Sequence, residues 1–467
     1  MSRMVEITVN GIRIEAQEGR LLLPVLLENG FGVPYFCYHE ALGPDGNCRM
    51  CMVEIEGSKR PQISCDTFVS EGMEVRTEGE SIESVRRRIL ELELINHPVD
   101  CPVCDKAGEC SLQNYYMEYG LYGGRVGRDE KLHAEKRVDL GRGVLHDRER
   151  CVLCQRCVRF CRDIVGSAEL CVAGRGERSY ITTVPGRKLE NDYAVNIVDL
   201  CPVGALSSVD FRFKKRVWFL ETTESVCHGC ERNCSIYADH AQDFDGVERI
   251  YRFRPRRNDE INGHFICDEG RFGYRELEER HMESCRVAGA DSDEKEAEAK
   301  ARELIERASS IVVTASADLY LEEMKAISEF ALKIGASLHI PLDGYDDPDF
   351  SDEWLKCSCR ASNRASVLES GIDTAYPKLT SSDLLINFDH PHISSSEAKR
   401  LDIVSLEMDG GDEADVTLPL SVWSRRSGTM ISRDGVRQYC GNILPPARNE
   451  RDIYGWIDTI SRWKDES

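Results

Sequence analysis

Sixteen side chains of this sequence fall into four groups whose types and spacing suit metal ligation. The first is Cys37, Cys48, Cys51 and Cys65, with gaps of 10, 2 and 13 residues, in "FCYHEALGPDGNCRMCMVEIEGSKRPQISC". The second is His97, Cys101, Cys104 and Cys110, one histidine and three cysteines within fourteen residues of "HPVDCPVCDKAGECSLQ". The third joins Cys151, Cys154 and Cys157 of "CVLCQRCVRFC" to a remote Cys201 in "CPVGAL". The fourth joins Cys227, Cys230 and Cys234 of "CHGCERNC" to Cys267 in "CDEGRF". Thiolate and imidazole donors suit either zinc or iron–sulfur clusters. The tight spacing of the third group favours a cube, with three corners held by one turn and the fourth closed from a distance. The second group suits zinc or a [4Fe–4S] cube, and zinc stays open for the first and fourth as well. Imidazole is neutral where thiolate is negative, so His97 on a cluster predicts a site that is more easily reduced. Cys161 also fits the short ferredoxin run, but no second triplet exists to complete another cube. Cys161 and Cys171 are therefore expected to be buried small apolar residues.

The chain has 467 residues, which predicts three or more compact units. Of its 21 cysteines, Cys285, Cys357, Cys359 and Cys440 lie beyond the four groups. A secreted disulfide scaffold is not expected, because such chains are short and carry export signals, whereas "MSRMVEITVN" starts straight into a strand pattern. The net charge of −22 argues against nucleic acid or anionic lipid as main partner. No apolar run approaches the length that crosses a bilayer. The expected location is cytoplasmic, or peripheral on the cytoplasmic side of a membrane through partner subunits.

The elements that must position the ligands are partly legible. "VEITVNGIRIEA" alternates around Asn10-Gly11 and predicts a β-hairpin. "LLLPVLLENG" predicts a short helix ending at Gly30, and "SIESVRRRILELELINHP" an amphipathic helix stopped by Pro98 that delivers His97. Gly43 and Gly46 let the first cysteine loop curl so that backbone N–H groups can face sulfur. Farther on, "SSIVVTAS" and "EEMKAISEFALKIGASLHIP" predict strand, helix, strand, and "DLLINFD", "DIVSLEMD" and "ADVTLPL" predict further short buried strands. That is an α/β doubly wound pattern.

On the motifs "GPDGNCRMCMVEIEG", "HPVDCPVCDKAGECSLQ", "CVLCQRCVRFC", "LCPVGALSSVDFRFKKRVW" and "CDEGRFGY", about the first 280 residues resemble the large iron–sulfur subunit (G, or 75 kDa type) of bacterial NADH:quinone oxidoreductase, respiratory complex I. The resemblance implies a multidomain α+β and α/β chain. It comprises a β-grasp [2Fe–2S] ferredoxin domain (1–80), a [4Fe–4S] segment with one histidine and three cysteines (81–120) and a ferredoxin-like [4Fe–4S] domain (140–215). A molybdopterin-oxidoreductase-type [4Fe–4S] domain (218–280) and a shortened α/β remnant of the molybdopterin-type core (295–467) follow. One [2Fe–2S] and three [4Fe–4S] clusters, held by the sixteen residues above, are implied. Implied partners are an NADH/FMN-binding iron–sulfur subunit, a small [2Fe–2S] thioredoxin-like subunit and a ferredoxin-type subunit of the connecting arm. In the family, electrons pass near the [2Fe–2S] site, then the ferredoxin-like cube, then the His-ligated cube, on the way to quinone.

The sequence after Cys267 departs from that pattern, leaving about one domain's worth of chain behind the charged "ADSDEKEAEAKARELIERA". Molybdopterin is not expected there, and Cys357 and Cys359 of "WLKCSCRASNRAS" are expected to be structural. No flavin is expected on this chain, nor a catalytic residue or substrate site of its own. "YGGRVGRDE" lacks the strand and helix of a phosphate loop, and "AGRGERS" and "MDGGDEA" read as turns. Two other functions compete: a subunit of a soluble NAD(P)-linked electron-bifurcating or transhydrogenase complex, and a zinc-bound scaffold without redox work.

Overall fold

The computed structural model describes residues 3–120, 123–391, 398–407, 414–447 and 450–466. The "MDGGDEA" turn lies almost wholly outside the described residues. Two compact units divide the chain, Met1–Phe219 and Leu220–Ser467.

The first unit opens with β1 (Met4–Val9) and β2 (Ile12–Gln17), antiparallel around the Asn10-Gly11 turn. Both turn residues take positive φ, 50° and 82°, which is why Asn-Gly suits the position. Val5, Ile7 and Val9 alternate inward and are fully buried. Helix α1 (Leu22–Glu28) covers them with Leu22, Leu23, Val25 and Leu26, each such side chain stabilising by about 1.5–3 kcal/mol. Strands β3 (Met52–Ile55), β4 (Gln62–Ile63) and β5 (Glu74–Arg76) complete a sheet in the order β2-β1-β5-β3-β4, with β1 and β5 parallel. Helix α2 (Glu80–Leu94) ends three residues before His97, and α3 (Ser111–Tyr119) starts directly after Cys110.

A second group of elements follows in the same unit. Strands β6 (Val138–Gly141) and β7 (Val144–His146) precede the short helix α4 (Arg156–Arg159), which runs on into a π-helical turn, Phe160–Ile164. A hairpin of β8 (Leu170–Ala173) and β9 (Tyr180–Thr183) contains the "AGRGERS" turn. Helix α5 (Asn196–Leu200) and β10 (Leu206–Ser208) close the group, with a sheet in the order β10-β7-β6. Cys161 is fully buried as expected. Cys171 is not: it sits half-exposed on the two-stranded β8–β9 ribbon, which has too few strands to enclose it.

His146, on β7, is 1% exposed, and burial pushes its pKa down to about 4, with the nearby Arg148 charge adding to this. The unfolded chain, near 6.5, binds more protons than the folded one between those two values. Stability should therefore fall as pH drops from about 6.5 towards about 4. His146→Gln should flatten that slope in urea midpoints measured at pH 7, 6 and 5. An unchanged slope would remove His146 as the cause.

In the second unit β11 (Glu221–Val226), β12 (Ser235–Gln242) and β13 (Glu248–Pro255) form an antiparallel sheet. The short helices α6 (Asp268–Phe272) and α7 (Tyr274–Glu279) follow. Strands β14 (Cys285–Val287) and β15 (Ala290–Ser292) form a hairpin ahead of helix α8 (Glu294–Arg307). Next come β16 (Ser310–Ala315), α9 (Leu321–Ile334), β17 (Ser337–His339), α10 (Arg364–Ser370), β18 (Asp383–Phe388), β19 (Lys399–Val404) and β20 (Val416–Pro419). The hairpin β21 (Gly428–Ile431) and β22 (Arg437–Cys440) and the last helix α11 (Ile453–Asp465) end the described chain. The seven-stranded sheet runs β15-β14-β20-β19-β18-β16-β17, and strands β17 to β20 are mutually parallel with β16. The β14–β15 hairpin adds an antiparallel edge, a pairing the sequence pattern did not indicate. Ala297, Ala301 and Ile305 of α8, Met324, Ile327 and Phe330 of α9, and Ile453, Trp456 and Ile460 of α11 share one core with the strands, at the three-and-four spacing of a buried helix face.

Candidate metal centres

In the first unit the four thiols of the first set form a hydrogen-bonded chain: Cys51 with Cys65, Cys65 with Cys37, Cys37 with Cys48. All four are buried. Gly43 and Gly46 take positive φ in the loop between them, as the sequence predicts, and Phe36 N–H donates to Cys48 Sγ (3.4 Å). Hydrogen bonds from Cys48 and Cys65 hold the Cys37 thiol down at about 2, whereas Cys48 and Cys65 are pushed up. Thiols packed this closely cannot all ionise unless positive charge sits among them, which is what iron supplies.

In the third set burial pushes the Cys151, Cys154 and Cys157 thiols up, and charge on their neighbours, Cys201 included, adds to it. Leu153 N–H donates to Cys151 Sγ (3.4 Å). The second set is more open. Cys104 lies beside Cys101, and Cys110 beside Cys104, with burial raising Cys110 to about 11. The groups next to His97 are Asp100, Arg150, Lys131 and Lys136, and Arg150 also neighbours Cys104. Burial lowers His97 to about 4, which keeps the imidazole in its neutral, metal-binding form.

In the second unit the four thiols of the fourth set, Cys227, Cys230, Cys234 and Cys267, line one cavity of about 520 Å³. Gly229 N–H donates to Cys227 Sγ (3.4 Å) and Gly270 N–H to Cys267 Sγ (3.3 Å). A Cβ at Gly270 would come within 2.9 Å of Cys227 Sγ, so glycine keeps that space open. Ser316, Asp389 and Ser405, each just past the end of β16, β18 or β19, line the same cavity. That is the carboxyl edge of the parallel sheet, the usual ligand side of such folds. His228 is stacked on Trp423 with ring centroids 4.1 Å apart, and burial drives its pKa down to about 3.

Each of the four sets contains a non-glycine residue in the left-handed region: Arg49, Val99, Leu153 with Gln155, and Asn233. Such residues cost roughly 1–2 kcal/mol each and persist where a loop must curl around something. Among the described residues no three His, Cys, Asp or Glu side chains gather as the ligands of a single metal ion would. Thiolates with one imidazole are donors that iron–sulfur clusters take.

Three arginines that ligand spacing does not single out tie the sets of the first unit together. Arg159 donates through Nη1 to the carbonyls of Leu42, Gly43 (3.1 Å) and Pro44, and through Nη2 to that of Cys37. Arg156 donates to the carbonyls of Tyr38 (2.6 Å) and Leu200 (3.0 Å). Both lie on α4, on either side of Cys157, and are less than a tenth exposed. Arg150 makes a two-pronged pair with Asp100, at 3.0 and 2.7 Å. Asn47 Nδ2 reaches the Leu153 carbonyl (2.7 Å), and Ser111 N–H the Pro202 carbonyl (2.9 Å). The third set's segment is therefore bonded to both others, to the first through Arg156, Arg159 and Leu153 and to the second through Arg150 and Pro202. The signal in sequence was the "RCVR" pairing, two arginines three apart on one helical turn around a ligand.

Four family models match the chain. Residues 2–80 match a 2Fe-2S iron-sulfur cluster binding domain, and 86–125 the NADH-ubiquinone oxidoreductase-G iron-sulfur binding region. Residues 141–207 match the ferredoxin-like domain of NADH-quinone oxidoreductase subunit 3, and 220–279 the molybdopterin oxidoreductase Fe4S4 domain. Among curated proteins, the NADH-quinone oxidoreductase G subunit of Streptomyces coelicolor is 39% identical over 279 residues, 59% of this chain and 32% of its own length. The NADH-ubiquinone oxidoreductase 75 kDa subunit of Reclinomonas americana is 37% identical over 279 residues, 60% of this chain and 39% of its own. The mitochondrial 78 kDa subunit of Neurospora crassa is 39% identical over 270 residues, 57% of this chain and 35% of its own. The matched stretch thus spans little more than a third of these relatives. A chain from an NAD+-reducing [NiFe]-hydrogenase structure is 28% identical, covering 46% of this chain and 91% of that one, with a TM-score of 0.41. Among the described residues no helix is long and apolar enough to cross a membrane. Cluster-binding regions in this order, together with identities of 37–39%, make the matched stretch of this chain, about its first 280 residues, similar to the G, or 75 kDa, subunits of NADH-quinone oxidoreductases.

Proposed function

We propose that the chain is an electron-transfer subunit of an NADH:quinone oxidoreductase, taking electrons from an NADH/FMN-binding iron–sulfur subunit and handing them towards quinone. Cys37, Cys48, Cys51 and Cys65 hold a [2Fe–2S] cluster within a β-grasp domain. His97 with Cys101, Cys104 and Cys110, Cys151 with Cys154, Cys157 and Cys201, and Cys227 with Cys230, Cys234 and Cys267 hold three [4Fe–4S] cubes. The C-terminal α/β region is a doubly wound remnant, without pterin or flavin. Bound clusters supply one-electron storage at potentials that their ligands and surroundings set. The protein fixes the sets in place, buries the thiols and aims N–H groups at sulfur.

The observation that carries this reading is the bonding within the first unit, where the third set's segment is tied to the first set's loop by Arg156, Arg159 and the Asn47–Leu153 bond, and to the second set's loop by the Arg150–Asp100 pair and the Ser111–Pro202 bond. It matches the succession implied by the resemblance. Contacts to the flavin subunit, a small thioredoxin-like [2Fe–2S] subunit and a ferredoxin-type subunit of the connecting arm belong to the same reading, with membrane attachment through partners alone.

Anaerobic purification tests it. A brown protein with iron, acid-labile sulfide and paramagnetic signals after reduction is expected, and a colourless one holding about one zinc per set would leave a scaffold instead. Co-purification with hydrophobic subunits is expected, whereas a fully soluble assembly would favour the bifurcating or transhydrogenase complex. His97→Cys should keep its cluster and lower its potential, because a neutral imidazole gives way to an anionic thiolate. An unmoved potential in redox titration would end the tuning argument.

A further inference from the structure

Asn233 stands between Cys230 and Cys234 in the fourth set and lines the cavity that the four thiols share. It is 1% exposed, yet neither its Oδ1 nor its Nδ2 has a hydrogen-bond partner among the described residues. Buried polar groups are paired in the great majority of cases, and a carboxamide brings two donor hydrogens and an acceptor oxygen to satisfy. The backbone around it is engaged on both sides. Asn233 N–H donates to the Cys230 carbonyl (3.2 Å), and the Asn233 carbonyl accepts from Nε2 of the buried Gln438 on β22 (2.8 Å). Cys227 N–H closes the loop onto the Cys234 carbonyl (2.8 Å). Asn233 takes φ 54°, a region that asparagine tolerates better than most residues. Glycine would serve that φ as well, so backbone shape leaves the unmet carboxamide unexplained. The same cavity holds a second such case. His228 is fixed by its stacking on Trp423 and by an edge contact to Tyr320, centroids 5.6 Å apart. Both of its ring nitrogens are buried without a partner among the described residues. The N–H groups already directed at sulfur, those of Gly229 and Gly270, go to Cys227 and Cys267, whereas Asn233 adjoins the other two ligands.

We propose that the Asn233 carboxamide is a hydrogen-bond donor to the sulfur of the cube held by the fourth set, and that this bond raises the cube's potential. This rests on the reading that the fourth set holds a cube. Cluster sulfur accepts hydrogen bonds, which is what the Asn233 Nδ2 group lacks. A reduced cube carries one more negative charge than an oxidised one, so a donor at its sulfur is worth more after reduction than before. Asn233 is then a tuning residue and not a ligand, and its anchored backbone is what keeps the donor in place.

The test uses the full chain, purified anaerobically, as wild type, Asn233→Gly, Asn233→Asp and Cys227→Ala. Iron content is measured, and each cluster's paramagnetic signal is followed through a redox titration. The signal lost in Cys227→Ala identifies the fourth cube. Asn233→Gly keeps the left-handed backbone accessible and removes the side chain. It is expected to retain wild-type iron while its fourth cube becomes about tenfold harder to reduce, a midpoint lowered by about 59 mV for one electron, with the other clusters unmoved. Asn233→Asp keeps the shape but puts oxygen where the donor stood, and its midpoint should fall at least as far. A wild-type midpoint in Asn233→Gly overturns the donor and leaves the residue a matter of backbone shape. If the glycine variant alone loses the cube, a wild-type midpoint in Asn233→Asp overturns it, and loss of the cube from both variants overturns it too. If Cys227→Ala keeps wild-type iron and every signal, the fourth set holds no cube, and it is the underlying reading that fails.

Discussion

Gly204→Ala is expected to strip the cluster from the His97 set, with loss of about four irons and of one paramagnetic signal while the remaining clusters persist. A Cβ built on Gly204 lies 2.2 Å from Cys104 Sγ, far inside contact distance, and 3.3 Å from Lys106 Cβ. The backbone of Cys104 is held in place. Arg216 Nη1 holds its carbonyl at 2.7 Å and Arg150 packs beside it, itself locked to Asp100. One methyl group therefore displaces a ligand by steric exclusion, without touching charge or hydrogen bonding. Gly204 follows Cys201 closely in "CPVGAL", so the same residue gauges how tightly the second and third sets are packed. An iron content and spectrum equal to wild type would show that Cys104 is not where the cluster needs it.

The second large effect is expected at Arg159. Arg159→Leu leaves the carbonyls of Cys37, Leu42, Gly43 and Pro44 without their shared cationic donor inside a closed loop. Hydrogen bonds from a charged donor are worth about 1.5–3 kcal/mol each, and buried acceptors left bare add their desolvation cost. A loss of at least about 3 kcal/mol is expected in denaturant unfolding, with the [2Fe–2S] signal weakened before the others. Arg159→Lys should recover little, since an ammonium lacks the planar fork that serves several carbonyls at once. A variant with an unaltered midpoint and an intact [2Fe–2S] spectrum would mean that the loop holds itself.

Both effects sit on residues that no ligand motif names. The four candidate sets stand out in the sequence because metal chemistry confines donors to short, repeated spacings, and the loops that carry them curl locally. Asn10-Gly11 and Gly30 were legible for the same local reason, since a tight turn and a helix end each need a particular φ. The strand, helix, strand reading of the C-terminal region became β16, α9 and β17 because hydrophobic periodicity is written into consecutive residues. The β14–β15 edge and the half-exposure of Cys171 were not legible, because burial depends on what packs from elsewhere in the chain.

The sequence by itself brought out four groups of candidate donors, and with them the class of chemistry they suit. Only the tertiary structure decided that the third set's segment is bonded to the loops of both the first and the second, and that Arg159 spans more than a hundred residues to close the first loop. The physical reason is range. Ligand spacing and turn geometry are short-range constraints within one loop, whereas a side chain bonded to a distant carbonyl leaves no periodic trace in the residues around it.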